Sequence, residues 1–246
     1  MKPKSLEVKE VLKGILIKKE NNWNSKEREK FTMNKLLNLP WLKNGQYLRK
    51  DNNFLKTLKS CYLGYKHDVI NTTNMEDKYY VIHEPFGSRY SPDYLFITPK
   101  GIFGVEDKSS KNGKISWNTG TPGQNKIITY FDKKKKNVYL LTSHDYGWTI
   151  QIEERYKKFK KKILDFAKEE FKKEFSENVE KPIELLNYYA RPMLTDNNLI
   201  SELYNKSEIN VDNILREYLD NDIIWQEVEN HNTDNTTQEE MSVNSQ

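Results

Sequence analysis

The sequence predicts an α/β fold in which a mixed sheet of about five strands is flanked by helices. Two observations predict it: helical periodicity towards both ends of the chain, and several short apolar, β-branched segments between them. The chain has 246 residues, of which 36% are hydrophobic and 12% aromatic, enough for one sizeable core. We therefore expect one domain over residues 1–229 and a polar, disordered tail over residues 230–246, where apolar residues are almost absent.

Helices are predicted on both sides of the strand region. Ser25, followed by alternating basic and acidic residues, is typical of a capped helix start, and Pro40 breaks that helix. A long helix begins near Thr149, where apolar residues recur at three- and four-residue spacing and predict core packing, and Pro182 ends it. Shorter helices are expected near residues 54–58 and over residues 183–189 and 209–218.

Five short segments have the composition of strands that are buried on both faces. They are Tyr79–Ile82, Tyr94–Thr98, Gly101–Glu106, Ile127–Phe131 and Val138–Thr142. The second and third are separated by turn residues ending in Gly101, so we expect them to form a hairpin.

Composition excludes several classes of protein. The single cysteine, Cys61, rules out an internal disulfide and a cysteine-based metal cluster, which fits a reducing cytoplasm. We expect no signal peptide and no membrane span, because no apolar run approaches roughly 20 residues. No glycine-rich phosphate loop is present, and the histidines show no metal-ligand spacing. Those histidines are His67, His83, His144 and His231.

Charge is unevenly distributed along the chain. The net charge is +4, but residues 217–246 contain eight acidic residues and no lysine or arginine, which leaves +12 for the rest. A basic body suits a polyanionic partner such as nucleic acid, since each neutralised phosphate releases counterions. Charge alone leaves an alternative open, namely a solvated surface in a chain whose composition reflects an AT-rich genome.

The hairpin is expected to bring two carboxylates together. Asp93 precedes its first strand and Glu106 lies near the end of its second strand, so antiparallel pairing places them side by side. Side chains alternate between the faces of a strand, so Glu106 and Lys108 share one face and Asp107 points to the other. Two carboxylates beside an ammonium suit Mg²⁺-assisted phosphodiester hydrolysis, because oxygen ligands bind the ion and the lysine adds positive charge beside the phosphate.

This pattern, Pro92-Asp93 followed by Glu106-Asp107-Lys108, resembles the PD-(D/E)XK nuclease superfamily. The resemblance implies a restriction endonuclease-like fold in which Asp93, Glu106 and the backbone carbonyl of Asp107 bind Mg²⁺ and Lys108 assists catalysis. The polar ends of a solvated hairpin are the alternative interpretation of these residues.

The segment after the motif is similar to a group of type II restriction endonucleases. Lys108-Ser109-Ser110-Lys111, Trp117-Asn118 and Pro122 precede a strand there, and the resemblance covers about 50 residues. It implies Mg²⁺-dependent, sequence-specific cleavage of double-stranded DNA to 5′-phosphate and 3′-hydroxyl ends, a homodimer, and a cognate DNA methyltransferase in the same system. The alternatives are a repair or structure-specific nuclease of the same superfamily, and a catalytically silent DNA-binding module.

Further residues are candidates for supporting roles. An upstream acid, Glu27, Glu29 or Glu84, is a candidate third member of the metal site, with an ordinary surface residue as the alternative. Loop-like sequence around the motif supplies candidate DNA contacts, because loops beside a catalytic edge commonly carry function. These candidates are Ser88, Arg89, Lys111, Lys114, Trp117, Asn118 and Gln124.

Overall fold

The computed structural model describes residues 2–14, 25–63, 78–88, 90–110, 114–117, 121–123, 126–177, 194–195 and 207–220. Its central feature is a six-stranded mixed sheet with helices packed on it, which confirms the predicted α/β class. The helices are α1 (Lys4–Gly14), α2 (Ser25–Leu37), α3 (Asn52–Leu63), α4 (Ile150–Lys172) and α5 (Ser207–Leu219).

The strands include the five that the sequence predicted and three short ones that it did not. They are β1 (Leu42–Asn44), β2 (Tyr79–His83), β3 (Tyr94–Thr98), β4 (Gly101–Ser110), β5 (Ser116–Trp117), β6 (Lys126–Asp132), β7 (Asn137–Thr142) and β8 (Leu194–Thr195). Short 3₁₀ turns cover Gln46–Lys50 and Ser143–Tyr146, and a π-helical turn over Lys173–Glu177 extends α4. β1, β5 and β8 have two or three residues each, too few for an alternating pattern to be recognised.

The main sheet has the strand order β1-β2-β3-β4-β6-β7. β3 pairs with β2 and β4 in antiparallel fashion, and β7 pairs with β6 in the same way. β4 pairs with β6 in parallel, and β1 pairs with β2 in parallel. The separate β5–β8 pair is antiparallel. The sheet is therefore mixed, as predicted, with six strands in place of about five.

Each face of the sheet has its own apolar cluster. On the first face, Tyr94, Phe96 and Phe103 pack with residues of α1, α2 and α5. On the second face, Leu95 and Ile102 pack with Leu58 and Tyr62 of α3. A third cluster lies farther along the second face and contains Ile115, Trp117, Ile128, Tyr130, Tyr139 and Leu141. The second face therefore has two apolar clusters. The part of β4 that lies between them carries polar residues.

The prediction that the apolar stripe of α4 packs into the core is wrong for the part of the chain that the structure describes. Phe159 is 58% exposed and Phe166 is 65% exposed, and Ile152 is also exposed. α4 packs extensively against no other described helix or strand. Amphipathic periodicity identifies an apolar face but does not say which element covers it. The start of α4 is as predicted, because the Thr149 side chain accepts a hydrogen bond from the Ile152 N–H.

The remaining helix predictions have mixed outcomes. α2 and α3 confirm the helices predicted near Ser25 and residues 54–58, and α5 confirms the one predicted over 209–218. The helix expected over 183–189, the end of the long helix at Pro182, and the tail over 230–246 lie outside the described residues. Among the helices of the described segments, none is long and apolar enough to cross a membrane.

Candidate active site

The β3–β4 hairpin places Asp93 next to Glu106. Tyr94 pairs with Val105, so the next position of the antiparallel register aligns Asp93 with Glu106. The Asp107 N–H donates to Asp93 Oδ2 at 2.7 Å, which fixes the Asp93 carboxylate beside the end of β4. Alternation from Leu95 and Gly104 puts the side chains of both acids on the second face of the sheet.

Glu106 is a buried acid with one oxygen left open. The residue is 3% exposed, and its Oε1 accepts a hydrogen bond from the Lys108 ammonium. Its Oε2 is buried and has no hydrogen-bond partner among the described residues. A buried oxygen of a charged carboxylate without a donor is costly, so this atom requires a partner such as a cation or water.

The two carboxylates influence each other's protonation. Burial, together with the negative charges of Glu106 and Asp107, raises the pKa of Asp93 to about 8, against the opposing effects of the Asp107 N–H and the Lys108 ammonium. Burial would also raise the pKa of Glu106, but the ammoniums of Lys108 and Lys126 outweigh it and lower that pKa below its ordinary value. At neutral pH the metal-free pair therefore holds one proton, on Asp93, because two close carboxylates do not both ionise readily.

Lys108 is held in place by both charge and an aromatic ring. Its Nζ pairs with Glu106 and lies 5.4 Å from the centroid of the Trp117 ring. Trp117 is 3% exposed and contacts Tyr146 edge to face. A cation over an aromatic face is attracted by the ring quadrupole. Trp117, a candidate DNA contact by sequence, is thus placed beneath the lysine with its ring buried.

Asp107 points to the opposite face, as the alternation predicted. Its carboxylate accepts hydrogen bonds from the Thr129 hydroxyl, and from Arg28 Nε and the Tyr94 hydroxyl at 3.4 Å each. Burial raises the pKa of Asp107, and the Arg28 guanidinium opposes that rise. The side chain therefore links β4 to α2 and β6.

The backbone of Asp107 belongs to the candidate site even though its side chain does not. The N–H and C=O of one residue point to the same edge of a strand. The Asp107 N–H bonds Asp93 beyond the last paired residue of β3, so its carbonyl also points towards Asp93. Asp93, Glu106 and this carbonyl are the oxygen atoms that the family resemblance assigns to the metal.

Lys126 and Ser91 also lie in the site, and sequence reasoning missed both. Lys126 begins β6 opposite Gly104 and is 5% exposed. Its Nζ donates to Ser91 Oγ at 2.6 Å and to the carbonyl of Thr121 at 3.1 Å. Burial lowers the pKa of Lys126, and the charge of Glu106 opposes that shift. The sequence signal was a lysine at the start of an apolar strand, which acquires meaning only from the parallel β4–β6 register.

The upstream acids lie on the first face, away from the Glu106 side chain. Glu29 Oε2 is 3.3 Å from His83 Nε2, and Glu84 completes a group whose ligand atoms lie within 4.8 Å of one another. The Tyr94 hydroxyl donates to the backbone carbonyl of Glu29, which places this group on the Tyr94 side of the sheet. Glu27, the remaining candidate, is exposed.

The candidate DNA contacts are only partly covered by the described residues. Ser88 is exposed in the turn after β2, and Lys114 is exposed just before β5. Both positions flank the site in sequence and leave their side chains accessible to a large ligand. Arg89, Lys111, Asn118 and Gln124 lie outside the described residues.

Comparison with known proteins gives no guide to this site. No family model, curated protein or solved structure matches the chain.

Proposed function

We propose that the protein is a Mg²⁺-dependent nuclease that cleaves double-stranded DNA at specific sites, with Asp93, Glu106 and Lys108 as its catalytic residues. One observation supports this most strongly. Two carboxylates and an ammonium from one hairpin occupy the same face of the sheet, and one buried carboxylate oxygen has no partner among the described residues.

The residues at this point fit a hard divalent cation. Mg²⁺ prefers carboxylate and carbonyl oxygens and keeps several of its waters. Asp93, Glu106 and the Asp107 carbonyl would provide such oxygens, and the cation would satisfy Oε2 of Glu106. Binding would also favour loss of the proton from Asp93, since a nearby positive charge lowers a carboxyl pKa. When bound, Mg²⁺ would acidify a water molecule and neutralise charge that develops on the phosphate.

Lys108 would orient the attacking water and offset negative charge on the phosphate. Its ammonium is already positioned by Glu106 and by the ring of Trp117, so little further ordering is needed before reaction. Since a lysine head group has three donors, one contact with Glu106 leaves others for water or a phosphate oxygen.

DNA is the proposed substrate because of the distribution of charge and the family resemblance. The chain outside residues 217–246 carries +12, and Lys114 is exposed beside the site. Cleavage of both strands at a symmetric sequence would require two active sites, so the proposal includes a homodimer. The products would carry 5′-phosphate and 3′-hydroxyl ends.

The test uses isosteric replacements that remove one charge each. Asp93→Asn and Glu106→Gln should lower the cleavage rate of plasmid DNA in Mg²⁺ by at least about a hundredfold while DNA binding in Ca²⁺ persists. Asp165→Asn is the matched control, because Asp165 pairs with Lys161 on the exposed surface of α4. Full activity of either site variant would contradict the proposal.

A second measurement separates sequence-specific cleavage from the alternatives. Digestion of DNA of known sequence should give discrete fragments whose mapped ends share one short sequence. Fragments without a common sequence, or cleavage confined to branched DNA, would favour a repair nuclease, and binding without cleavage would favour a silent DNA-binding module.

A further inference from the structure

Four charged side chains lie together on the second face of the sheet. Asp93 and Glu106 are the two acidic groups, and Lys108 and Lys126 are the two basic groups. Asp107 is excluded from this group because its side chain is on the first face beside Arg28. Because Asp93 holds a proton in the metal-free site at neutral pH, the two ammoniums outnumber the one charged carboxylate, and the site offers no net negative charge to a cation.

Lys126 is an unusual member of this group because it is a buried lysine. Its Nζ donates hydrogen bonds to two neutral acceptors among the described residues, the Ser91 hydroxyl and the Thr121 carbonyl. A buried ammonium is unfavourable unless a countercharge lies close. The charged carboxylates that act on it are Glu106 and Glu153.

Glu153 is itself satisfied by other groups. Its Oε2 accepts hydrogen bonds from the Thr121 hydroxyl and from Trp148 Nε1, both at 2.6 Å, and its Oε1 is 3.7 Å from the Lys157 ammonium. Glu106 accepts a hydrogen bond from Lys108 on Oε1, its Oε2 has no hydrogen-bond partner among the described residues, and the Lys126 ammonium and the Ser91 hydroxyl help to lower its pKa. The positive charge of Lys126 is therefore directed mainly at the carboxylates of the candidate metal site.

We propose that Lys126 is an internal counter-ion of this site, which makes tight binding of a divalent cation depend on the negative charge of the DNA phosphate. The inference rests on the proposed function and names a positioning residue for it. Without DNA, the two ammoniums oppose the cation. When a phosphate enters, its charge complements the added cation, so that each ligand strengthens the binding of the other by the same factor.

The magnitude of this effect is large enough to measure. A unit charge and a divalent cation about 6 Å apart at an effective dielectric constant near 20 repel strongly enough to change affinity by well over tenfold. Removal of the Lys126 charge should therefore increase cation affinity in the absence of DNA. A purely structural role would predict the opposite or no change, since a loosened site binds a cation less well.

The experiment titrates Mn²⁺ into DNA-free protein by calorimetry. Lys126→Gln keeps hydrogen-bond donors for Ser91 and Thr121 but removes the charge, and Lys126→Met removes both. Each should bind Mn²⁺ at least about tenfold more tightly than the unmodified chain. The control is Lys9→Met, which removes a partly buried ammonium paired with Asp212 at 2.6 Å, away from the site, and should leave Mn²⁺ affinity unchanged.

A second readout measures the coupling itself. The affinity for a duplex that contains the mapped cleavage site is compared with and without Ca²⁺. Ca²⁺ should strongly increase the DNA affinity of the unmodified chain. The factor of this increase should be at least about tenfold smaller for Lys126→Gln.

The outcomes separate this inference from the proposed function. If the unmodified chain cleaves DNA but Mn²⁺ affinity is unchanged or weaker in both Lys126 variants, Lys126 is not a counter-ion of the site. Equal tightening in Lys9→Met, or failure of both Lys126 variants to fold, would also overturn the inference. If the unmodified chain neither cleaves DNA nor binds Mn²⁺ in its presence, the proposed function itself fails.

Discussion

At Asp93, burial and the neighbouring charge of Glu106 act in the same direction. Together they raise the pKa from an ordinary value of 3.8 to about 8. The unfolded chain loses this proton near pH 4, whereas the folded, metal-free chain keeps it until about pH 8. Because the folded state binds more protons in that interval, its stability decreases as pH rises through it.

This difference predicts the pH dependence of stability without metal. In EDTA, the free energy of unfolding should fall between about pH 4 and pH 8, and Asp93→Asn should make that fall shallower because an amide does not ionise. Urea unfolding at several pH values measures both chains. The pKa of Glu106 is lowered in the folded chain. The stability that its charge contributes is therefore lost only when the pH falls through that lowered pKa, outside this interval. Equal slopes for the two chains would show that Asp93 ionises normally.

Residue-scale reasoning from sequence succeeded where the contacts are local. Asp93 and Glu106 are joined by one hairpin, so strand alternation and a turn were sufficient to place them together. Lys126 could not be placed in this way. Its position opposite Gly104 depends on the parallel pairing of β4 with β6, whose crossover has no local sequence signature.

Among the elements, β4 determines how closely the segment Pro92-Asp93 approaches the sheet. Gly104 lies on the same face as Glu106, and a Cβ atom built at Gly104 would overlap the Tyr62 hydroxyl and would be 2.9 Å from both Cβ and Cγ of Pro92. Such distances are shorter than carbon atoms tolerate, so a larger residue would displace Pro92 and with it Asp93. The glycine is required here for close approach of a neighbouring segment.

Gly104→Ala should therefore affect both stability and activity. We expect a loss of about 1–3 kcal/mol in the free energy of unfolding and a decrease in the cleavage rate, because the Asp93 carboxylate moves relative to Glu106. Gly14→Ala at the end of α1 is the matched control, since a Cβ atom there meets nothing within 4 Å. Chemical denaturation and a plasmid cleavage assay provide the two measurements. Unchanged activity in Gly104→Ala would show that Pro92 yields without moving Asp93.

The elements also show which sequence patterns are informative. α2, α5 and the five longer strands have a face pattern or an apolar run of sufficient length to be recognised. α4 has the clearest apolar stripe, yet the side chains of Phe159 and Phe166 in that stripe are largely exposed. Periodicity specifies the local conformation of a helix, whereas its packing partner depends on contacts distant in sequence.

For the whole molecule, the uneven charge distribution separates a basic body from an acidic C-terminal segment. Tyr218 and Leu219 of α5 are the last residues in sequence of the described first-face cluster. Residues 230–246 contain only polar and charged residues apart from Met241 and Val243. Their removal should therefore cost little apolar burial and should remove negative charge that repels a phosphate backbone.

Truncation after Glu229 tests both consequences together. The shortened chain should unfold within about 2 °C of the full chain, since a change of a few tenths of a kcal/mol shifts the melting temperature by no more than that. It should also bind non-specific duplex DNA more tightly at low salt, by about twofold or more, because three carboxylates are absent. Thermal melting and a salt titration of DNA binding measure the two effects. A melting temperature lowered by 10 °C or more would mean that these residues pack against the folded domain. DNA affinity that does not change at any salt concentration would mean that the acidic residues lie too far from the binding surface to influence it.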